Sequence, residues 1–185
     1  MPEALEDFLR SLLEQESVTV TNHAVNYSEL THALALGEGI WTPERMQTLV
    51  RRGFTHILSV QDDFDERPLA EPWGIEVCWN PVADDFQPKP PEFFQRAIAF
   101  AREALALVTH RLYVHCAAGV HRGPLAALAI LADGGMDLDD ALALIQARRP
   151  TVDFPAVYVD SLRAYLAGQP GPSPETAVPA APEEA

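Results

Sequence analysis

The sequence predicts an α/β fold, in which a central, mostly parallel sheet of four to five strands is flanked by helices. Short apolar runs rich in β-branched residues alternate with longer segments whose apolar residues recur at helical spacing. Such an alternation favours parallel strands that are joined by crossover helices and covered on both faces. The predicted strands span residues 32–40, 54–60, 75–82 and 111–116, and the first of them ends at Gly37.

Helix signals lie between these strands in the first half of the chain. Leucines and a phenylalanine at helical spacing predict an amphipathic helix over residues 2–16. A second helix is predicted after Thr42, which can cap it, with Pro43 at its first position and Gly53 past its end. A third helix is expected from Glu92 to Val108.

Two segments between these elements read as loops. Residues 61–74 are polar and contain Pro, and residues 83–91 are too rich in Pro for a helix or a sheet ladder.

Three further helices are expected in the second half of the chain. The first starts with Pro124 at its first position and ends at Gly134, and the second is capped by Asp137. The last lies within residues 154–168.

The domain organisation follows from these elements and from the composition of the two ends. Residues 169–185 consist mostly of Pro, Ala and Glu without an apolar face, which predicts a disordered tail. We therefore expect a helical extension over residues 1–20, one domain over residues 21–168, and the tail.

Composition excludes several classes of function. With 13 basic and 27 acidic residues the net charge is −14, which argues against a nucleic-acid binder and against docking on anionic membranes. Two cysteines do not make a disulfide framework. No apolar run approaches the length that spans a bilayer, and the amino terminus is acidic, unlike a signal peptide. We expect a soluble, cytoplasmic protein, and the oligomeric state stays open.

The stretch VHCAAGVHRGP, residues 114–124, joins a predicted strand to a predicted helix. Cys116 ends the strand, and ligands of α/β sheets bind beyond the carboxyl ends of the strands. Gly119 allows the chain to curl into a ring. A helix that begins at Pro124 leaves the N–H groups of residues 117–122 available to cradle an anion.

This spacing predicts a phosphoryl-transfer site. A thiolate of Cys116 at the centre of the cradle would be stabilised by the same N–H groups. Arg122 can bind two oxygens of a phosphate through its planar fork. A nucleophile, an oxyanion cradle and a cation around one site suit in-line attack on phosphorus through a covalent cysteinyl-phosphate.

The run HCAAGVHR resembles the signature of the cysteine-based protein phosphatases, a His-Cys pair followed by five residues and an Arg. Residues 34–60, 93–116 and 141–150 are similar to the layout of the dual-specificity branch, so the resemblance covers about residues 34–166. It implies a cysteine-phosphatase fold and hydrolysis of phosphotyrosine, phosphoserine or phosphothreonine in a protein or peptide. No metal and no organic cofactor is implied.

The resemblance also assigns roles to residues. Cys116 would be the nucleophile, and the phosphate would be bound by the Arg122 side chain and by the loop residues Ala117, Ala118, Gly119, Val120 and His121. His115 would support the loop through hydrogen bonds. The family's general acid is an Asp on a mobile loop upstream of the Cys. Asp84 keeps the family's register without gaps, and its neighbour Asp85 is the alternative.

One departure from the family keeps two other functions open. Gly123 stands where the family usually has Ser or Thr, whose hydroxyl stabilises the departing thiolate. A pseudophosphatase that binds phosphorylated partners with little turnover is therefore an alternative, and a phosphatase of a small phosphorylated metabolite is another. Phosphoinositide relatives tend to carry Lys in this loop, and AAGVH has none.

Other polar and aromatic residues receive structural interpretations. Adjacent residues at a strand end point to opposite faces, so a metal site that combines His115 and Cys116 with other histidines is not expected. Cys78 is interpreted as a core residue. The remaining groups are interpreted as a solvated acidic loop (Asp62, Asp63, Asp65, Glu66), as charges at helix C-termini (Arg51, Arg52, Arg148, Arg149), and as core or pocket wall (Trp41, Trp73, Trp79).

Overall fold

The structure, a computed structural model, describes residues 24–168. Its five-stranded sheet has the order β1-β2-β5-β3-β4, in which β1 is antiparallel to β2 and every other pair is parallel. The predicted α/β fold with a mostly parallel sheet flanked by helices is confirmed. The strands are β1 (Tyr27–Glu29), β2 (Leu34–Gly37), β3 (His56–Ser59), β4 (Glu76–Trp79) and β5 (Leu112–His115).

Six α-helices and one short 3₁₀ helix connect and cover the strands of the described residues. They are α1 (Pro43–Arg51), α2 (Arg67–Ala70), the 3₁₀ helix Glu71–Trp73, α3 (Pro91–Ala104), α4 (Arg122–Asp133), α5 (Leu138–Arg148) and α6 (Ala156–Ala167). The predicted caps of α1 and α5 are confirmed, because Thr42 and Asp137 accept hydrogen bonds from first-turn N–H groups. The helix and the tail predicted at the two ends of the chain lie outside the described residues.

Several predicted boundaries are wrong for local reasons. Helix α4 begins at Arg122, so that Pro124 is its third residue, a position where the missing N–H still costs no helical bond. Helix α3 ends at Ala104 instead of Val108. The segment 61–74, which was expected to be a loop, contains α2 and the 3₁₀ helix.

Strand β5 lies between β2 and β3, and its side chains divide between two cores. Leu112 and Val114 belong to the larger core beneath α3, α4, α5 and α6, whereas Tyr113 belongs to the core beneath α1 and α2. Cys116 follows Leu112 and Val114 into the larger core, and His115 packs beside Tyr113 with ring centroids 5.4 Å apart. The prediction that His115 and Cys116 face opposite sides of the sheet is confirmed.

The parallel strands bring three loops to one edge of the sheet. Residues 60–66 follow β3, residues 80–90 follow β4, and residues 116–121 follow β5, so all three lie at the carboxyl ends of their strands. This is the edge where α/β sheets bind ligands. No helix among residues 24–168 is long and apolar enough to cross a membrane.

Candidate functional site

The loop of residues 116–121 curls around the sulfur of Cys116. The Cys116 side chain is buried, and the N–H of Gly119 points at its Sγ over 3.3 Å. Gly119 has φ +67°, and a Cβ there would lie 2.4 Å from the backbone oxygen of Gly37. Only glycine satisfies both the left-handed backbone and the close approach.

The side chain of Arg149, at the end of α5, binds this loop through hydrogen bonds. Its side chain donates to the carbonyl oxygens of Gly119 (Nε, 2.9 Å) and Ala118 (Nη2, 3.2 Å), and to Oδ1 of Asn26 (Nη1, 3.3 Å). Because the C=O and N–H of a planar peptide point in opposite directions, binding the Ala118 carbonyl turns the Gly119 N–H toward the sulfur. Arg149 stands at the C-terminal end of α5, as predicted, but it is only 4% exposed and its guanidinium binds loop carbonyls.

Arg122 lies at the first position of α4, and its guanidinium contacts the loops that follow β3 and β4. We call the space between these two loops and the 116–121 loop the pocket. Nη1 of Arg122 donates to Oδ1 of Asp62 (2.5 Å) and to the carbonyl of Val82 (3.0 Å). Its Nε is buried, makes no hydrogen bond with the described residues, and lies 3.6 Å from Oδ2 of Asp84. The guanidinium is thus fixed through Nη1, while its Nε faces the Asp84 carboxylate without a hydrogen bond to it.

The two candidate acids lie in the loop that follows β4, whose residues 82–90 we call the 82–90 loop, and they point in different directions. Asp84 faces the pocket, where its Oδ2 lies 3.1 Å from Nδ1 of His121 and 3.6 Å from Nε of Arg122. Asp85 turns away and pairs with Nζ of Lys89 at 2.5 Å. The hydrogen bond from Lys89 holds the pKa of the Asp85 carboxyl below its ordinary value.

A thiol with an N–H donor on its sulfur, a buried guanidinium and a carboxylate therefore share one edge of the sheet. The model of the dual specificity phosphatase catalytic domain matches residues 42–167, which is more than half of the chain. The chain belongs to the dual-specificity phosphatase family. Among curated proteins, none matches this chain.

Solved structures show the same fold at low sequence identity. PTPMT1 superposes with a TM-score of 0.67 and 18% identity over 76% of this chain and 93% of that chain. It has also been solved in complex with PI(5)P, at 16% identity. The human tyrosine phosphatase-like serine/threonine/tyrosine-interacting protein superposes with a TM-score of 0.65 and 24% sequence identity, over 76% of this chain and 95% of that chain. A mouse putative dual specificity phosphatase complexed with zinc tungstate superposes with a TM-score of 0.64 and 23% sequence identity, over 75% of this chain and 85% of that chain.

Beside the dual-specificity signature lies a buried polar network that sequence reasoning missed. Nε2 of His115 contacts Oε1 of Glu66 at 2.5 Å, and its Nδ1 lies 3.2 Å from the carbonyl oxygen of Cys116. The other oxygen of Glu66 accepts from Ser59 Oγ (3.0 Å) and Gln61 Nε2 (3.3 Å). Glu66 is fully buried, so its interpretation as a solvated acid is wrong. His115 is fixed behind the strand end, beside the backbone of Cys116.

Position 123, where dual-specificity phosphatases usually have Ser or Thr and this chain has Gly, is closely surrounded by backbone. A Cβ at this position would lie 3.1 Å from the backbone N of Cys116 and 3.2 Å from the carbonyl carbon of His115. Both neighbours are backbone atoms, so a side chain would push α4 away from the strand end by a few tenths of an ångström. The absence of a side chain lets the amino terminus of α4 pack directly against Cys116.

The other candidates lie outside this constellation. Both cysteines are free thiols, and burial raises the pKa of Cys78, which packs against the larger core. No group of metal-ligating side chains that could hold an ion occurs within residues 24–168. Trp41 and Trp73 are exposed and therefore are not core residues, whereas Trp79 is partly buried and donates to the carbonyl of Gln61.

The role of Arg149 can be tested against its exposed neighbour Arg148. Arg149→Met removes the donors that orient the 116–121 loop, so we expect vanadate, a phosphate mimic, to bind about tenfold to a hundredfold more weakly. Arg148→Met should bind vanadate like the wild type. The measurement is the inhibition constant of vanadate, with thermal unfolding as a check of folding. Equal constants for the two variants would contradict a loop held by Arg149.

Proposed function

We propose that the protein hydrolyses phosphomonoesters of phosphotyrosine, phosphoserine or phosphothreonine in protein substrates, with Cys116 as the nucleophile. The observation that carries this proposal is the loop curled around the Cys116 sulfur, with its Gly119 N–H on the sulfur. Arg122, whose Nε makes no hydrogen bond within residues 24–168, and Asp84, 3.6 Å from that atom, complete the proposed site. The loop from Ala117 to His121 and Arg122 bind the phosphate, and His115 supports the loop.

The first chemical step transfers the phosphoryl group to sulfur. The thiolate of Cys116 attacks phosphorus, an S–P bond forms and the ester P–O bond breaks. Asp84 donates its proton to the leaving oxygen, while Arg122 and the loop amides bind the phosphoryl oxygens. In the second step water attacks phosphorus, Asp84 takes a proton from that water, and the thiolate departs as phosphate is released. Apart from the substrate and one water molecule, the proposed steps use only groups of this chain.

The catalytic domain is proposed to span residues 21–168, with residues 1–20 and 169–185 as appendages. A nucleophilic thiolate is readily oxidised, so a cysteine-dependent mechanism suits a reducing compartment. We therefore propose a cytoplasmic location.

The nucleophile is tested by Cys116→Ser, with Cys78→Ser as the matched control. Cys116→Ser should abolish hydrolysis of para-nitrophenyl phosphate, because a serine hydroxyl lacks the reactivity of a thiolate. Vanadate-competable binding of a phosphopeptide should persist, since loop amides and Arg122 provide the contacts to phosphate. Cys78→Ser should hydrolyse at the wild-type rate. Turnover by Cys116→Ser would exclude the proposed nucleophile.

The acid is tested by comparing Asp84→Asn with Asp85→Asn on aryl phosphates of increasing leaving-group pKa. General acid catalysis contributes on the order of 10²–10⁴-fold when the leaving oxygen needs a proton. Asp84→Asn should therefore lose kcat/KM steeply on poor leaving groups and little on good ones, whereas Asp85→Asn should resemble the wild type. The reverse pattern would transfer the role to Asp85.

Charges around the mouth favour a phosphorylated side chain over a headgroup that carries several phosphates. Asp62 binds Arg122, Asp84 contacts His121, and Asp153 lies 3.6 Å from Nε2 of the same His121. The whole chain carries a net charge of −14. Additional phosphates on a substrate would meet these carboxylates, whereas basic residues beside the phosphorylated side chain would be attracted to them.

This preference predicts how peptide charge affects the rate. A phosphotyrosyl peptide with Arg on both sides should be hydrolysed with about tenfold higher kcat/KM than the same peptide with Glu on both sides, at low ionic strength. Added salt should reduce the ratio, because it screens exposed charges. A higher rate on PI(5)P, or on the Glu-flanked peptide, would favour another substrate class.

Gly123 favours one second candidate, a phosphate-binding module with little turnover. Without the family's hydroxyl, the thiolate that leaves phosphorus in the second step lacks one hydrogen-bond donor. A side chain at Gly123 would meet the backbone of Cys116 and His115 at 3.1 Å and 3.2 Å, so restoring the hydroxyl requires a shift of a few tenths of an ångström. Such a module would release one equivalent of product and then stop. Progress curves that continue linearly past the first turnover would exclude this candidate.

A further inference from the structure

Tyr158 reaches from helix α6 into the 82–90 loop. Its side chain is fully buried, and its hydroxyl is placed between the backbone of Phe86 and the carboxyl of Asp84. We infer that Tyr158 is the positioning residue of the acid Asp84, an inference that rests on the proposed function.

One hydroxyl fixes both the backbone of this loop and its carboxyl group. Tyr158 accepts a hydrogen bond from the N–H of Phe86 over 3.1 Å and donates to Oδ1 of Asp84 over 3.0 Å. A phenol has one proton to donate, so its only donor is committed to Asp84. Because the Tyr158 side chain is fully buried, this geometry is not exchanged freely for contacts with water.

The backbone of Phe86 shows that the loop is held in place by its surroundings. Phe86 has φ +56°, which is unfavourable for a side chain of this size and persists only where neighbouring contacts impose it. Its N–H is bound by Tyr158, and its ring packs against those of Tyr158 and His121, with centroids 6.1 Å and 5.3 Å away.

Lys89 makes a second connection between the loop and α6. Its backbone N–H donates to Oγ of Ser161, and its Nζ lies 4.3 Å from the centroid of the Tyr158 ring. The same Nζ donates to the carbonyl of Ala83 over 2.6 Å, next to Asp84. The loop is thus tied to α6 on both sides of Phe86, and Oδ2 of Asp84 faces His121 and Arg122.

The hydrogen bond from Tyr158 makes the two oxygens of Asp84 unequal. Oδ1 accepts from the phenol, and Oδ2 faces His121 and Nε of Arg122 at the pocket. The transferable proton is therefore carried on Oδ2, which passes it to the leaving oxygen and later takes one from water. Tyr158 neither gains nor loses a proton in either step.

The matched variants are Tyr158→Phe and Tyr165→Phe, each of which removes one hydroxyl from α6. Tyr165 lies two turns further along this helix, and its ring packs against Phe94 of α3. We expect kcat/KM of Tyr158→Phe to fall about tenfold on phenyl phosphate, whose leaving oxygen needs a proton from the acid; this fall is part of the general-acid contribution. On para-nitrophenyl phosphate, which has a good leaving group, kcat/KM should fall less than about twofold. Vanadate inhibition, which does not use the acid, should be unchanged. Tyr165→Phe should match the wild type on both esters.

The outcomes separate the inference from the function on which it rests. Suppose that Asp84→Asn shows the expected leaving-group dependence. If Tyr158→Phe then loses kcat/KM equally on both esters, or loses none on either, the positioning role is overturned. A loss of both activity and vanadate inhibition would show a merely structural role and would also overturn it. If Asp84→Asn itself shows no leaving-group dependence, the acid assignment of the proposed function fails, and the inference fails with it.

Discussion

Arg149 places a positive charge beneath the 116–121 loop, where three oxygen atoms serve as its hydrogen-bond acceptors. A buried charge is costly unless such acceptors are present, so the loop carbonyls and the guanidinium stabilise one another. Once the carbonyls of Ala118 and Gly119 point to Arg149, the N–H of Gly119 points to the sulfur of Cys116. The orientation of the Gly119 N–H toward Cys116 is thus a consequence of how α5 ends.

Close packing at Gly123 complements this arrangement from the side of α4. The helix begins at Arg122, one residue before Gly123, and approaches the strand end so closely that no Cβ fits without movement. This close approach brings the amino terminus of α4, the positive end of its dipole, next to Cys116, a position that favours negatively charged groups. In the proposed mechanism, the absence of a hydroxyl at Gly123 leaves one hydrogen-bond donor fewer for the thiolate that departs in the second step.

Sequence patterns predict those features that depend on neighbouring residues. The caps Thr42 and Asp137 and the turn at Gly119 are local, and the structure bears them out. The packing of Arg149, Glu66 and Tyr158 could not be predicted, because their partners lie 30, 49 and 74 residues away along the chain. An arginine at a helix end and an acid in a polar loop look like solvated charges until the fold places acceptors or donors around them. Strand β1 was missed because three partly polar residues carry no periodic signal.

The most direct test of this account is to trap the covalent intermediate. The wild-type protein is mixed with a phosphotyrosyl peptide, quenched in acid within the first turnover, digested, and analysed by mass spectrometry. The account predicts a peptide that contains Cys116 and is heavier by one phosphoryl group, and no such peptide from Cys116→Ser. Hydrolysis without any phosphorylated cysteine, or a phosphoryl group on another residue, would contradict it.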